Sequence, residues 1–345
     1  MQEDRGNPTA SREPEPLELE PLAVSALARR YSLRLQGDDV EVTHLSPLSR
    51  AHRPHARLTW ANTRPFLDQF VARGAGACIA PARLAGGVPD GARVLFTEAD
   101  PEEVFFSIFA DLAEAGAWRR QTGWRGEGVE IGSGAFVDPS AILGDGCRIM
   151  PNAVVLGNVR LGDRSVVKPN ATLGADGFEA RRIHGRRRIV PHVGGVWAED
   201  DVEIGASACV DRGLWGDYTF LGAETKVDSL AYVAHGVRVG RSCSLVGCSE
   251  VSGSAVLEDG VWLGPHTAVN QLLRIGAGAV VGTGAVVTRD LPAHALAYGS
   301  PAKVHGWACG CRGKLDFAGG GSASCERCQL RYVMVDGVPS VAVRA

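Results

Sequence analysis

The chain has 345 residues and a formal net charge of −3 at pH 7. So small a charge gives no bulk electrostatic attraction to nucleic acid, and the length suffices for two or three domains with cores of their own. The nine cysteines are scattered and cluster only near the end, unlike a secreted disulfide framework. The first twenty residues are acidic and proline-rich, and no apolar run is long enough to cross a bilayer. We therefore expect a cytoplasmic protein with neither a signal peptide nor a membrane span.

The N-terminal third is predicted to be a disordered tail followed by a small α/β domain. Residues 1–16 are rich in Glu, Pro and Arg, which disfavours a packed core, and residues 17–120 alternate helical and strand-like segments. We predict helices near 21–28, 65–70 and from Asp100 onward, and strands over 57–61, 77–80 and 93–96.

The helix after Asp100 has the clearest local signals. Pro101 occupies its first position and acids fill its first turn, both of which are typical of a helix start. Its apolar residues recur on one stripe, which predicts burial; they are Val104, Phe105, Ile108, Phe109 and Leu112. We assign Phe105 and Phe109 to the core.

Beyond residue 121 an aliphatic residue returns at every sixth position. One run extends from Ile131 to Leu173 and a second from Leu221 to Val287, with Ile204 and Val210 between them. Helices repeat near 3.6 and strands near 2 residues, whereas a period of six is typical of a parallel β-helix, whose stacked coils share one core. We predict a mainly β protein whose residues 121–291 form such a helix of about seven coils. Cys147 and Cys243 occupy its small-residue corners, where a thiol acts as a small hydrophobe.

The repeat has one large interruption, between Leu173 and Ile204. Residues 181–188 carry five arginines and a histidine, which is too polar for a coil and predicts an outward loop. This loop could contact a diphosphate, the phosphates of coenzyme A or an acidic carrier protein. It could equally be a solvated surface, as most charge runs are.

Three segments carry a family resemblance: GADGF at 174–178, VEIGA at 202–206 leading to VDRG at 210–213, and VAHGV at 233–237. Their order and spacing resemble the N-acyltransferases of lipid A biosynthesis, which acylate the 2-amine of a UDP-glucosamine derivative. The resemblance implies a left-handed β-helix, a homotrimer with active sites in the clefts between subunits, and His235 as general base. Imidazole suits that role because it titrates near neutral pH.

Other residues near these segments are weaker candidates. Asp228 could orient an imidazole, bind the sugar or simply stabilise a turn. His266 is a candidate for the groove that holds the donor. In the family, Asp176 and Phe178 fall in the loop that borders the acyl or sugar site, where Gly174 and Gly177 would let the backbone turn.

The N-terminal domain resembles the uridine-binding domain of the same enzymes. Leu58-Thr59-Trp60 and Phe66 fall where the family places two aromatic residues around the uracil ring. Trp60 has a structural alternative, because an aromatic residue in a small domain is often part of the core.

The C-terminal part resembles acetyl-CoA-dependent N-acetyltransferases of nucleotide-linked sugars. The segments are GTGAVVTRDLP at 282–292 and GSPAKV at 299–304, followed by Gly306-Trp307. The resemblance implies that Lys303 meets the coenzyme A phosphates and that Gly282 and Gly284 lie along the cofactor. Acetyl-CoA is therefore the favoured donor, and acyl-carrier protein is the alternative.

The tail, residues 292–345, contains Cys309, Cys311, Cys325 and Cys328. Two close pairs of thiolates fit a tetrahedral, structural Zn²⁺ site. The first pair is C-x-C rather than C-x-x-C, so a redox pair and unligated thiols remain alternatives.

The predicted function is transfer of an acyl group to the amine of a nucleotide-linked amino sugar, with O-acylation as an enzymatic alternative. A zinc hydratase of the γ-carbonic-anhydrase type would use the same prism, but it needs a pair of histidines five residues apart. His184, His192, His235 and His266 contain no such pair. A non-catalytic protein that binds a nucleotide sugar is the alternative from another class.

Overall fold

The computed structural model describes residues 15–49, 56–74, 76–317 and 320–342. Almost all of the tail predicted to be disordered, residues 1–14 of 1–16, lies outside the described residues. The rest forms a small α/β domain, a parallel β-helix and a cysteine-bearing cap.

The α/β domain contains a five-stranded sheet flanked by helices. The helices are α1 (Val24–Arg30), α2 (Arg64–Arg73) and α3 (Pro101–Glu114), with a short 3₁₀ turn at Ala82–Leu84. In spatial order the strands are Arg34–Gln36, Val94–Thr97, Ala77–Pro81, Arg57–Trp60 and His44–Leu45. The first pair is antiparallel and the others are parallel. A separate pair joins Leu22–Ala23 to Glu41–Val42.

Helix α3 is fixed at its start and along one face. The Asp100 carboxylate accepts hydrogen bonds from the backbone N–H groups of Glu102 and Glu103, which caps the first turn. Phe105 and Phe109 are fully buried, so their predicted place in the core is confirmed. Their cluster extends beyond the domain, because Trp197, Trp215 and Tyr218 pack into the same core.

The β-helix consists of three parallel sheets, which we call the first, second and third faces. The first face contains Trp124–Arg125, Ile142–Leu143, Val159–Leu161, Gly195–Ala198, Tyr218–Leu221, Arg238–Val239, Val256–Leu257 and Arg274–Ile275. The second contains Glu130–Ile131, Arg148–Ile149, Val166–Val167, Glu203–Ile204, Lys226–Val227, Ser244–Leu245, Trp262–Leu263 and Val280–Val281. The third contains Phe136–Val137, Val154–Val155, Thr172–Ala175, Cys209–Asp211, Tyr232–Val233, Glu250–Val251, Ala268–Val269 and Val286–Val287.

The predicted fold class is confirmed: the protein is mainly β, a left-handed parallel β-helix with a small α/β domain before it and a cysteine-rich segment after it. The aliphatic residues of the repeat form one continuous core, and most of them are fully buried. Each such burial contributes about 1.5–3 kcal/mol. Cys147 and Cys243 are also buried, as predicted.

The first and third faces have eight strands each, one coil more than the repeat predicted. The aliphatic pattern misses two strands of the first face. One is Trp124–Arg125, where the sixth-residue position is the polar Arg125. The other is Gly195–Ala198, which lies within the interrupted stretch.

Two excursions leave the coil, both after strands of the third face. The first is not an irregular loop but an antiparallel hairpin of Ala180–Ile183 and Arg186–Ile189. Its cationic side chains meet acids of α3: Arg181 lies 3.6 Å from Glu102, Arg182 3.4 Å from Glu103, Arg188 2.6 Å from Glu114, and His184 2.8 Å from Asp111. The basic run therefore docks the hairpin onto α3. The second excursion, residues 212–217, carries Trp215 into the aromatic cluster of the α/β domain.

The last coil continues into the cap. Ala295–Tyr298 adds a parallel strand to the second face, and Lys303–Ala308 and Lys314–Leu315 follow as antiparallel strands. Ser322–Ser324, Arg331–Val335 and Val338–Val341 form a separate antiparallel sheet. Among the described residues, none of the helices is long and apolar enough to cross a membrane.

Candidate functional site

His235 lies at the corner where the chain turns from the third face to the first. It follows the strand Tyr232–Val233, and the next residue, Gly236, has a φ of 66°. The backbone N–H of Gly236 donates to Thr219 Oγ1 at 2.9 Å, which fixes the turn. The imidazole is half-buried, and no described residue hydrogen-bonds its buried Nδ1.

A second imidazole, that of His192, packs edge to face against His235. The ring centroids are 5.2 Å apart and the planes are inclined by 74°. His192 Nδ1 lies 2.9 Å from the carbonyl oxygen of Val190. Because a carbonyl only accepts, Nδ1 carries the proton and Nε2 of the neutral ring is an acceptor. This Nε2 is buried and has no partner among the described residues.

Burial keeps both imidazoles neutral. Desolvation is the main cause that lowers the pKa of His235, and the charge that a protonated His192 would carry lowers it further. Desolvation likewise lowers the pKa of His192. At neutral pH His235 can therefore accept a proton.

Asp211 is the third titratable group of the cluster. It is almost fully buried, and its Oδ2 accepts a 2.5 Å hydrogen bond from the hydroxyl of Tyr232. Burial raises the pKa of Asp211, while the Tyr232 hydroxyl, Cys209 and His235 act in the opposite direction.

Gly177 lies where the three groups meet. A Cβ at this position would be 3.0 Å from Asp211 Oδ2, His192 Nε2 and His235 Cδ2. The expectation that Gly174 and Gly177 only let the backbone turn is correct for Gly174, whose φ is 86°. It is wrong for Gly177, which has no positive φ; there glycine is needed for close approach.

The segment around Gly177 brings two predicted residues to the site. Asp176 is exposed, lies 3.4 Å from Arg212 and accepts a 3.3 Å hydrogen bond from the backbone N–H of His192. Phe178 is 77% exposed, so its ring is free to meet a ligand. Asp176 thus contacts the backbone of His192, and Phe178 directly follows Gly177 in the chain. Their role at the acyl or sugar site remains a prediction.

Asp228 and His266 lie at a different corner, between the second and third faces. The Asp228 carboxylate accepts hydrogen bonds from the backbone N–H groups of Ser229 and Gly247, at 2.7 and 3.0 Å. His266 is exposed, and its N–H donates to the carbonyl oxygen of Gly247. Within one chain, the strand Tyr232–Val233 separates this corner from His235. Their roles in a shared site remain predictions.

Trp60 and Phe66 line one cavity of about 280 Å³, together with Pro47, Leu48, Ser49, Ala61, Asn62, Gln69 and Arg73. Phe66 is 59% exposed. Trp60 is half-buried and its ring centroid lies 4.4 Å from that of Phe105. Trp60 therefore belongs to the aromatic core on one side and to the cavity wall on the other.

The residues predicted to meet the donor lie toward the C-terminal end of the coil. Lys303 is exposed, and it lies opposite Tyr298 in the register of two antiparallel strands. Nothing lies within 4 Å of a Cβ built at Gly284, whereas one at Gly282 would be 2.9 Å from Tyr298 Cβ. Three strand spacings separate the coil of His235 from that of Val286–Val287, which is about 14 Å along the axis.

The four tail cysteines meet in space. All four Sγ atoms lie within 4.8 Å of one another, and among the described residues they are the one group of three or more His, Cys, Asp or Glu side chains with the spacing of a metal site.

Sequence reasoning missed His192, Asp211 and Tyr232 as site residues. In the sequence, Asp211 falls in the segment VDRG, which carries the family resemblance, and His192 is one of the histidines of the β-helix region. The signal available for His192 was its position at the end of the interrupted stretch, close to the GADGF segment.

The fold and the repeats define the class: the protein is a parallel β-helix built on a six-residue repeat. The model of the family described as bacterial transferase hexapeptide (six repeats) matches residues 140–175.

Among curated proteins, the chain is similar to two bacterial UDP-3-O-acylglucosamine N-acyltransferases. That of Methylobacterium nodulans is 43% identical over 136 residues, which are 39% of this chain and 38% of the relative. That of Caulobacter sp. strain K31 is 45% identical over 114 residues, 33% of each chain. The matched region thus spans well under half of these relatives.

Solved structures of similar shape include the UDP-N-acetylglucosamine acyltransferase from Campylobacter jejuni. Its TM-score is 0.48 at 20% identity, over 54% of this chain and 71% of that one. The enzyme of the same name from Arabidopsis has a TM-score of 0.45 at 22% identity, over 54% and 70%.

Proposed function

We propose that this protein is an N-acyltransferase that moves an acyl group from a thioester to the amine of a nucleotide-linked amino sugar. The observation that carries the proposal is the cluster around Gly177, where a neutral imidazole, His235, is held half-exposed against His192 and Asp211. The names of the similar curated proteins support the same reaction.

In this mechanism His235 is the general base. The sugar amine attacks the thioester carbonyl while the imidazole takes its proton; the C–N bond forms, the C–S bond breaks, and the proton passes to the leaving thiolate. General base catalysis by a positioned histidine contributes about 10²–10⁴-fold. A backbone N–H in the cleft stabilises the oxyanion of the tetrahedral intermediate.

The acceptor nucleotide occupies the cavity of the α/β domain. A uracil ring fits between Trp60 and Phe66, because one is held by the core and the other is largely exposed. The sugar then extends toward Asp176 and Phe178, which border the histidine pair. Such an acceptor is a UDP-linked amino sugar.

The donor arm lies along the coil, from Lys303 toward His235. The phosphopantetheine arm is common to coenzyme A and acyl-carrier protein, so the arm itself does not distinguish the two donors. Lys303, with the open corner at Gly284, favours acetyl-CoA, since an exposed cation pairs with its phosphates. Acyl-carrier protein is the alternative donor. Coenzyme A thioesters and nucleotide sugars are cytoplasmic metabolites, which fits a cytoplasmic protein.

The active form is a homotrimer. Leu230 and Leu272 are 61% and 74% exposed, and they occupy the two corners that flank the third face. Both have positive φ values, of 61° and 64°, which are uncommon for leucine. Contact with a second copy would cover these apolar corners. The molar mass in solution, measured by light scattering, tests this assembly.

The test of function is thiol release from acetyl-CoA in the presence of UDP- and dTDP-amino sugars, with His235→Ala beside the wild type. Release with one acceptor that the variant loses supports the reaction, the donor and the base together. Thiol release only when the acyl group is carried by acyl-carrier protein would make that protein the donor in place of acetyl-CoA, and the proposed reaction would stand. Nucleotide binding without release from either donor would instead support a non-catalytic binding protein, and acylation of a hydroxyl would identify an O-acyltransferase.

A further inference from the structure

The cysteine-bearing cap contains two turns with similar reciprocal hydrogen bonds, the second turn being one residue longer. In the first, the Cys309 N–H donates to the Gly313 carbonyl and the Arg312 N–H donates back to the Cys309 carbonyl. In the second, the Cys325 N–H donates to the Leu330 carbonyl and the Gln329 N–H donates back to the Cys325 carbonyl. Each turn thus holds two cysteines on a closed loop.

The conformation at the end of each turn is also the same. Arg312 and Gln329 directly follow the second cysteine of their turns, and their φ values are 67° and 61°. A non-glycine residue in this region is uncommon. Its occurrence at equivalent positions indicates that the two turns are built to direct their thiols toward each other.

The separations of the sulfurs match a shared tetrahedral ion better than covalent bonds. Cys309 Sγ lies 3.4 Å from Cys328 Sγ, and Cys311 Sγ lies 3.4 Å from Cys325 Sγ. A disulfide bond is about 2.05 Å long. Thiolates around Zn²⁺, at Zn–S distances of about 2.3 Å, are about 3.8 Å apart along each edge of the tetrahedron. The four sulfurs, all within 4.8 Å of one another, approach that arrangement.

Groups around the sulfurs complete the centre. The Tyr332 hydroxyl donates to Cys309 Sγ at 3.3 Å and accepts from the Gly310 N–H at 3.1 Å, so the tyrosine is fixed as a donor to sulfur. Such hydrogen bonds stabilise thiolate ligands. A Cβ at Gly313 would lie 2.8 Å from Cys325 Sγ, so only glycine permits this approach.

The cap has almost no other core. Its buried cluster consists of Cys309, Leu315, Ala323, Cys325 and Tyr332, so two of five buried residues are the cysteines themselves. A unit this small usually requires a metal or disulfides to be stable.

We propose that Cys309, Cys311, Cys325 and Cys328 bind one structural Zn²⁺ that clips the cap onto the end of the β-helix. With four protein ligands the ion has no open position and takes no part in the reaction. Its structural effect reaches the coil, because Cys309 directly follows the strand Lys303–Ala308, which pairs with Ala295–Tyr298 of the second face.

The experiment is metal analysis of full-length protein purified without chelator, with Cys328→Ser and Cys311→Ser as test variants. Cys248→Ser is the matched control, because Cys248 is half-buried at a coil corner outside the cluster. We expect one zinc per chain in the wild type and the control and well below one in both test variants. Chelation should lower the melting temperature of the wild type by at least a few degrees, and zinc alone should restore it.

A second measurement keeps the proposal testable if the variants do not fold. Wild-type protein reconstituted with Co²⁺ should show thiolate charge-transfer and visible bands of a tetrahedral site. Wild-type zinc well below one per chain would overturn the proposal, as would an intact mass lower by four hydrogens, which marks two disulfides. Full zinc in both variants would also overturn it.

Discussion

His192 and His235 pack edge to face with their ring centroids 5.2 Å apart. Their residues come from different parts of the chain: His192 ends the hairpin excursion, whereas His235 belongs to a regular coil. Protonation of both imidazoles would place two positive charges close together, which is unfavourable, and burial already disfavours protonation of each. The pair therefore keeps a neutral base at the site where the amine is proposed to react.

Removal of the base should abolish turnover without loss of the acceptor. We expect His235→Ala to lower kcat by about 10²–10⁴-fold, with the Kd for UDP unchanged because the nucleotide cavity lies in the other domain. His184→Ala is the matched control, since His184 contacts Asp111 of α3 and not the histidine pair. Steady-state kinetics and calorimetric titration measure the two quantities. Near-normal turnover of His235→Ala would remove His235 from the mechanism.

The pH profile should report the lowered pKa of His235. Activity requires the neutral imidazole, so kcat/KM falls as the pH drops through the folded-state pKa. Because that pKa is below the ordinary value of 6.5, the acid limb should lie below pH 6.5. His192→Gln removes the positive charge that His192 would carry when it is protonated at acid pH, so the substitution should move the limb to higher pH. An identical acid limb in both proteins would contradict this electrostatic coupling.

The same shifts predict acid sensitivity of the fold. The unfolded chain binds protons at both histidines below about pH 6.5. In the folded protein both pKa values are lowered, so the same protons bind only at lower pH. The free energy of unfolding should therefore decrease as the pH falls below that value. Denaturant titrations at pH 7.5 and 5.5 measure the decrease, which should be smaller in His192→Gln. An equal decrease in the variant would mean that other groups cause it.

A methyl group at Gly177 should damage the site more than the fold. We expect Gly177→Ala to lower kcat/KM by on the order of tenfold to a hundredfold, because its Cβ displaces Asp211, His192 and His235 from contact at 3.0 Å. Gly86→Ala is the control, since nothing lies within 4 Å of its Cβ. Kinetics and thermal melts of both variants test this. Full activity of Gly177→Ala would show that the cluster tolerates displacement.

Substitutions in the proposed nucleotide cavity should weaken binding of the acceptor and leave the rate of the reaction nearly unchanged. Phe66→Ala should weaken UDP binding by about 1–3 kcal/mol, the range for stacking of a base on an aromatic ring, while kcat at saturating acceptor stays within a few fold. Phe178→Ala is the counterpart, because Phe178 is also exposed but borders the histidine pair. It should change kcat/KM and leave the Kd for UDP unchanged. If Phe66→Ala instead changed kcat/KM and Phe178→Ala weakened UDP binding, the proposed roles of the two residues would have to be exchanged.

The repeat predicted the coils because its side-chain period is independent of what surrounds them. Val251 or Leu263 must point inward wherever the neighbouring coils run, and both are fully buried. His235 is predicted to be the base because the residues on either side of it match a known pattern. His192 could not be found in the same way: it follows the hairpin, where the period of six is lost. Its position depends on how Ile183 and Val190 dock against the core shared with α3.

Asp228 shows that closeness along the chain does not predict contact in the folded protein. Its place in the chain, seven residues before His235, suggested a partner for the base. In the coil, however, seven residues span a complete strand and part of two corners, so the carboxylate reaches the backbone of Ser229 and Gly247 instead. Distance along a β-helix sequence is therefore a poor guide to contact unless the corner of each residue is known.

The loop that follows Asp211 also joins the two domains. Trp215 packs against Trp60, with ring centroids 6.4 Å apart, and against three phenylalanines of α3. Trp60 forms one wall of the proposed nucleotide cavity, and Asp211 belongs to the cluster around His235. The aromatic rings between them are close-packed and cannot be compressed or stretched. These rings therefore fix the distance between the proposed nucleotide cavity and the imidazole. We expect an acceptor to react only when the distance from its nucleobase to its amine matches that separation.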